Sequence, residues 1–174
     1  MAIATEQSGA VKFKGNPMTL VGAKVAVGAT APDFQVIDSA LQAVTLASSA
    51  GKVRLISVVP SLDTPVCSQQ TKRFGEALET LPQNVQVYTV SLDLPFAQKR
   101  WCGSEGVEMT TLSDHRSKSF GTAYGVLIKE LQLLARAVFV VDAKDLVTYA
   151  EVVPEVTEHP NYDAAIAAAK KAAE

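Results

Sequence analysis

Residues 53–74 read VRLISVVPSLDTPVCSQQTKRF, and this stretch decides the fold. Its first part, Val53 to Val59, is an apolar, β-branched run that is typical of a strand buried on both faces. Pro60 ends the strand because proline has no N–H to offer a sheet ladder. Thr64 is a good N-cap residue, and Pro65 suits the first position of a helix. The stretch therefore predicts a central strand, a short loop and a helix.

Cys67 falls in the first turn of the predicted helix, where backbone N–H groups lack helical partners. The positive end of the helix dipole favours the thiolate, which is the nucleophilic form of cysteine. A helix end supplies about 0.3–2 kcal/mol, whereas ionising an ordinary thiol near pH 6 takes roughly 3.4 kcal/mol. We therefore expect a second cationic group beside Cys67. The alternative is an inert buried thiol, but the carboxyl end of a central strand favours a functional site.

The motif around Cys67 resembles a known family. Residues 60–67, PSLDTPVC, resemble the Pro-x-x-x-Thr-x-x-Cys signature of the peroxiredoxins, and the SxDTPVC form is similar to the bacterial thiol peroxidase subfamily. The resemblance extends to APDF at 31–34, DLPFA at 93–97, RWC at 100–102 and ARAVFV at 135–140. It implies a thioredoxin-like α/β sandwich that reduces hydroperoxides with a cysteine thiol.

Composition limits the class of protein and its partners. The chain has 174 residues, of which 48% are hydrophobic and 20% charged, and we expect one domain over 1–174 with a mobile tail at 1–10. The net charge is −2 without a basic run, which argues against a nucleic-acid partner. The N-terminus does not resemble a secretory signal, and the apolar runs are too short for a bilayer. We therefore expect a soluble, cytoplasmic protein without a membrane partner, whose two cysteines serve catalysis rather than a structural disulfide.

Hydrophobic periodicity and turn residues predict the other elements. These are a hairpin over 11–22 outside the core sheet, extended pieces at 34–36 and 44–46, a helix ending at Pro82, a strand over 85–90, a short helix capped by Asp93 and ending near Gly103, an extended piece over 107–112, a helix capped at 113–114, a hairpin over 136–152 and a helix from Tyr162. The strand–helix–strand unit should cross over right-handed into a parallel pair. The order fits a thioredoxin-like sandwich with a mixed sheet.

Peroxide reduction needs a thiolate, donors that stabilise the leaving oxygen, and room for the transition state. We expect Cys67 to attack the peroxide and become a sulfenic acid. Thr64 can cap the helix and point its O–H at the sulfur or the peroxide, while the Val66 amide donates to oxygen. Pro60 is expected to shield the pocket.

Arg136 is the expected cation, because a charge that opens an apolar strand is otherwise poorly explained. The guanidinium fork suits paired contacts, and the matching arginine has this role in proteins that this chain resembles. The alternative is an arginine that marks a solvated strand end. Arg73 is also close to Cys67 in sequence, although most helix arginines are solvated.

Cys102 is the expected resolving thiol. It lies 35 residues after Cys67, so the pair is not a Cys-x-x-Cys motif. A disulfide needs Cα atoms about 4.4–6.8 Å apart, so we expect local unwinding at both cysteines before the bond forms. The family resemblance implies that thioredoxin or a similar dithiol then reduces it. The alternative is that Cys102 only packs beside Trp101.

The sequence thus indicates a thiol peroxidase without a cofactor or metal, since His115 and His159 stand apart and are expected at the surface. A redox sensor that stops after one equivalent of peroxide is the alternative. The missing Cys-x-x-Cys argues against a general disulfide reductase, and no Gly-x-Ser-x-Gly elbow supports a hydrolase. The resemblance implies a homodimer, for which exposed Phe96 or Tyr124 are candidate interface residues.

Overall fold

A seven-stranded mixed sheet forms the centre of the computed structural model, which describes residues 4–174. The strands of the chain are β1 (Glu6–Phe13), β2 (Asn16–Val21), β3 (Gln35–Ile37), β4 (Ala43–Thr45), β5 (Val53–Val58), β6 (Val85–Ser91), β7 (Thr110–Ser113), β8 (Leu127–Ile128), β9 (Leu133–Leu134), β10 (Ala137–Val141) and β11 (Val147–Val152). The central sheet has the order β11-β10-β5-β6-β7-β3-β4. β5 is parallel to β6 and antiparallel to β10, so the predicted parallel pair is confirmed.

Helices cover both faces of this sheet. They are α1 (Pro65–Ala77), α2 (Pro95–Glu105), α3 (Ser119–Ala123) and α4 (Tyr162–Ala172), with a 3₁₀ turn at Leu46–Ser49. Val53 and Leu55 of β5 pack with α1 and α4, whereas Ile56 and Val58 pack on the other face with α3 and the N-terminal hairpin. Every residue of β5 is buried, because both of its faces are covered. The predicted thioredoxin-like sandwich is confirmed.

A second sheet, of order β1-β2-β8-β9, joins the N-terminal hairpin to the segment after α3. The hairpin lies outside the central sheet, as predicted, and β1 takes in residues 6–10 of the expected tail. Residues 1–3 of that tail lie outside the described residues. The sequence did not predict β8 and β9, because each strand is only two residues long and shows no period. No helix within residues 4–174 has the length and apolar character needed to cross a bilayer.

The predicted boundaries of α1 and α2 differ from the structure. α1 ends at Ala77 and not at Pro82, which leaves the side chain of Leu78 partly in solvent. α2 continues two residues past Gly103 to Glu105 and is closed by Gly106 in the left-handed conformation. Cys102 lies in the last turn of α2, as predicted. The N-cap residue of α2 is Leu94 rather than the predicted Asp93.

The expected exposure of Tyr124 is wrong. Tyr124 is 1% exposed and packs in an aromatic cluster, stacked on Phe120 and edge-on to Phe34 and Phe139. The periodic pattern around Tyr124 did not separate a core face from an interface face. Phe96, in contrast, is 69% exposed at the start of α2.

The Asp114 side chain binds backbone N–H groups in the first turn of α3, although Asp114 lies outside that helix. The predicted cap at 113–114 is displaced, because α3 begins at Ser119 with Lys118 in the capping position. The Asp114 carboxylate nevertheless accepts hydrogen bonds from the Phe120 N–H at 3.0 Å and the Gly121 N–H at 2.7 Å. Burial raises the pKa of Asp114 to about 6, although these two bonds oppose the shift. Because this buried carboxyl titrates near pH 6, the stability of the fold depends on pH.

We predict that Asp114 lowers the free energy of unfolding as pH rises from about 4 to about 6. Its pKa is higher in the folded than in the unfolded chain, so the folded state binds the proton more tightly. The resulting stabilisation is complete below the unfolded pKa and is lost as pH rises through about 6. Urea unfolding at several pH values measures this as the difference between wild type and Asp114→Asn, with the exposed Asp163→Asn as control. A difference that does not vary with pH contradicts the prediction.

Candidate active site

Cys67 lies in the first turn of α1, at the carboxyl end of β5. α1 begins at Pro65 with Thr64 in the capping position, as the sequence predicted. The first intrahelical hydrogen bond runs from the Ser68 N–H to the Thr64 carbonyl at 3.0 Å. The amides of Val66 and Cys67 precede this bond, so they have no partner within the helix. The backbone therefore presents two donors beside the cysteine.

Arg136 lies against the sulfur of Cys67. It directly precedes β10, whose antiparallel register puts Ala137 opposite Val58 at the end of β5. This register brings the start of β10 to the edge of the sheet where α1 begins. One terminal nitrogen of Arg136 donates to Cys67 Sγ at 3.3 Å, and both residues are buried, at 2% and 0% exposed. Arg136 is therefore not solvated, and the alternative of an arginine that marks a solvated strand end is wrong.

Two further contacts orient the guanidinium. Arg136 Nε donates to the Val156 carbonyl at 2.9 Å, and Arg136 Nη1 donates to Gln70 Oε1 at 2.9 Å. The Gln70 amide in turn donates to Ser57 Oγ of β5 at 2.8 Å. Gln70 was not among the residues predicted from the sequence. The available signal was a polar residue three positions after Cys67, on the same face of α1 as the buried Phe74.

The electrostatics of the sulfur depend on opposing effects. Among residues 4–174, no carboxylate forms an ion pair with Arg136, and Cys67 is the one of its hydrogen-bond partners that can become an anion. A hydrogen bond to a charged group contributes about 1.5–3 kcal/mol, compared with about 0.3–2 kcal/mol for a helix end. Burial acts in the other direction, because it disfavours the charged form. Arg136 is the cation in direct contact with the sulfur, so its charge opposes the cost of burial there.

Thr64 does not make the contacts that the sequence suggested. Its hydroxyl donates to the Ser61 carbonyl at 2.9 Å, and its side chain accepts no capping hydrogen bond from α1. The Thr64 hydroxyl thus closes the short loop before α1, and the first-turn amides donate no hydrogen bond to the Thr64 side chain. Thr64 itself is exposed, whereas Pro60 is buried at the end of β5.

The sulfur is not open to solvent. Cys67 belongs to a buried apolar cluster with Val59, Leu62 and Trp101, and its residue exposure is 0%. Peroxide reduction needs room at the sulfur, which is covered in this conformation, although the exposed Thr64 and Pro65 lie at the start of its helix. A substrate reaches the sulfur only if the covering residues move.

Cys102 packs against the same cluster from α2. It is half-buried, both cysteines are free thiols, and burial raises the pKa of the Cys102 thiol. Cys102 therefore remains protonated more readily than an ordinary cysteine while α2 is intact. The structure thus brings Cys67 and Cys102 to one apolar cluster without bonding them.

The other charged candidates lie away from the sulfur. Arg73 forms an ion pair with Asp163 of α4 at 3.2 Å on a partly exposed surface, which agrees with the solvated alternative. His115 Nδ1 contacts Ser113 Oγ at 2.8 Å and is partly buried, so its expected surface position is only partly correct. His159 is exposed and contacts the Tyr162 hydroxyl at 2.6 Å.

Comparisons with known proteins agree on one family. The model of the Redoxin family matches residues 26–166. Proteins named thiol peroxidase from Listeria innocua and Halalkalibacterium halodurans are each 61% identical over 163 residues, which cover 93% of this chain and 98% of each relative. The crystal structure of a peroxiredoxin-like protein from Aquifex aeolicus is similar with a TM-score of 0.87 and 44% identity, covering 93% of this chain and 96% of that one.

We predict that Arg136→Met slows the alkylation of Cys67 by iodoacetamide near pH 7. Loss of a charge-assisted hydrogen bond of about 1.5–3 kcal/mol corresponds to about ten- to a hundredfold. Peptide mass mapping separates Cys67 from Cys102 in this assay. Arg73→Met, which removes a cation from the outer side of the same helix, should react at the wild-type rate. An unchanged rate in a folded Arg136→Met variant contradicts the prediction.

Proposed function

We propose that this chain, which belongs to the Redoxin family, is a thiol-dependent peroxidase that reduces hydroperoxides at the sulfur of Cys67. The observation that carries the proposal is the buried guanidinium of Arg136, which donates to Cys67 Sγ at 3.3 Å at the start of a helix. This arrangement favours a thiolate in a site that excludes bulk water. High identity to thiol peroxidases over most of the chain supports the same reaction class.

In the first step the Cys67 thiolate attacks one oxygen of the hydroperoxide. The S–O bond forms as the O–O bond breaks, so sulfur is oxidised to the sulfenic acid and the peroxide is reduced. The leaving oxygen departs as hydroxide or alkoxide and takes up a proton to become water or an alcohol. The guanidinium of Arg136 and the first-turn amides of α1 are the donors that face this developing charge.

In the second step we propose that Cys102 resolves the sulfenic acid. The Cys102 thiolate attacks the Cys67 sulfur, the S–S bond forms, and the hydroxide that leaves sulfur is protonated to water. Two electrons from a dithiol donor then restore both thiols by exchange. Cys102 packs against the apolar cluster that contains Cys67, which supports the pairing. Because both cysteines lie within helices, local unwinding must precede the bond.

Three finer features belong to this proposal. A disulfide that must be reduced in every cycle requires a reducing compartment, which supports a cytoplasmic location. The same requirement supports thioredoxin or a similar dithiol protein as the reductant. We also propose a homodimer, and the exposed Phe96 at the start of α2 is the apolar side chain that such an interface is expected to cover.

We predict that Cys67→Ser abolishes peroxide consumption coupled to NADPH through thioredoxin and thioredoxin reductase, because the attacking sulfur is gone. Cys102→Ser should reduce one equivalent of peroxide and then accumulate sulfenic or sulfinic acid at Cys67. Intact-protein mass spectrometry after one equivalent of peroxide distinguishes these species from the 67–102 disulfide of the wild type.

The same assay separates the proposal from its alternatives. Sustained peroxide loss in the wild type supports an enzyme, whereas a stop after one equivalent identifies a redox sensor. A wild-type product without the 67–102 disulfide contradicts resolution by Cys102. Hydrogen peroxide and a bulky alkyl hydroperoxide, tested side by side, define the substrate preference.

A further inference from the structure

The carboxylate of Asp93 lies between the two cysteine-bearing segments. Asp93 Oδ1 accepts from the Ser61 hydroxyl at 2.7 Å, and Asp93 Oδ2 accepts from the Leu62 N–H at 2.8 Å. Ser61 and Leu62 belong to the loop that leads into Cys67, whereas Asp93 follows β6 and precedes α2. The loop before Cys67 is therefore tied to the start of the helix that carries Cys102.

The same carboxylate is connected to the interior of α2. Asp93 Oδ2 also accepts from the Ser91 hydroxyl at 2.8 Å, and Ser91 Oγ accepts from the Gln98 side-chain amide at 3.0 Å. Ser91 and Gln98 are both 0% exposed. Gln98 lies four residues before Cys102, so the two side chains share one face of α2. A continuous hydrogen-bonded path thus runs from the Cys67 loop to the turn before Cys102.

Other polar contacts between these segments are at the surface. Arg100 pairs with Asp63 at 3.3 Å, but both side chains are more than 60% exposed. Lys72 of α1 pairs with Glu105 at 2.6 Å, and these side chains are also partly exposed. Exposed ion pairs contribute little because water and salt screen them. The part-buried carboxylate of Asp93 is therefore the main polar link between the two segments.

We propose that Asp93 is a positioning residue that holds the Cys67 loop against the start of α2 and thereby sets the fate of the sulfenic acid. The inference rests on the proposed function. With the link intact, Cys67 and Cys102 stay within their helices. With the link broken, residues 61–66 and the Cys102 helix unwind more often, and the cysteines meet more often.

This link controls a competition between two reactions of one intermediate. In the first, Cys102 displaces hydroxide from the Cys67 sulfenic acid, which forms the S–S bond and releases water after protonation. In the second, a further hydroperoxide molecule oxidises the sulfenate to sulfinic acid and is itself reduced to water or an alcohol. The second reaction needs only movement of the residues that cover the sulfur, whereas the disulfide needs both helices to unwind. A weaker link therefore favours the disulfide over the sulfinic acid.

The test compares wild type, Asp93→Asn and Ser61→Ala, with Asp38→Asn as the matched control. Asp38 is also a loop carboxylate that accepts two backbone hydrogen bonds, from Ala40 and Gln42, but it lies in the β3–β4 turn. Rapid quenching and mass spectrometry give the rate constant of disulfide formation and the sulfinic fraction at high hydrogen peroxide. Amide hydrogen exchange of the fully reduced protein gives the opening of residues 61–66 and 95–102.

For Asp93→Asn we expect disulfide formation and hydrogen exchange to be faster by about threefold or more, and the sulfinic fraction to fall by about as much. Ser61→Ala removes one of the three hydrogen bonds to the Asp93 carboxylate, so it should change the disulfide rate, the exchange rate and the sulfinic fraction in the same direction but by less. This variant tests the proposal even if Asp93→Asn fails to fold. Asp38→Asn should match the wild type. Wild-type partition and exchange in a folded Asp93→Asn, or in Ser61→Ala if only that variant folds, overturn the proposal.

Failure of the proposed function has a different signature. A wild-type protein that consumes no peroxide overturns the peroxidase assignment, yet hydrogen exchange of the reduced protein still reports whether Asp93 holds the two segments together. Normal wild-type turnover with an unchanged partition in the variants overturns the role of Asp93 alone.

Discussion

The site depends on the hydrogen bond from the buried guanidinium of Arg136 to the sulfur of Cys67. A cation removed from water needs partners for its N–H groups, because an unpaired buried charge is strongly destabilising. Gln70 and the Cys67 sulfur of α1, together with the Val156 carbonyl after β11, supply these partners from two separate parts of the chain. The same hydrogen bonds that satisfy the buried arginine also orient it at the sulfur. The stability of the buried charge and the reactivity of Cys67 therefore depend on the same contacts.

The same burial creates a conflict between activation and access. Exclusion of water strengthens the interaction between Arg136 and Cys67, because screening is weak in a low-dielectric interior. It also closes the sulfur behind Leu62 and Trp101, and it keeps Cys102 in a helix. A catalytic cycle therefore requires the covering residues to move when the substrate enters, and the two helices to unwind when the proposed disulfide forms.

Polar contacts at the loops determine how such opening occurs. The central sheet and its two apolar clusters contain the long β5–β6 and β5–β10 pairings, which open only with global unfolding. The loop before Cys67 and the start of α2 are held instead by a few side-chain hydrogen bonds around Asp93. Neither segment belongs to a strand, so their separation leaves the pairings of the sheet intact.

The sequence by itself determined the local part of the site. A β-branched run, a proline and a Thr-Pro pair specify a buried strand and a helix start within a few residues, so the position of Cys67 in the first turn was predictable. The charge that opens an apolar strand and the family resemblance predicted Arg136 as the cation, but no local pattern fixes its distance from a sulfur 69 residues away. That contact depends on the antiparallel register of β5 and β10, which brings Arg136 to the start of α1. Only the tertiary structure decided whether Cys67 was open or covered, because burial depends on segments distant in the chain.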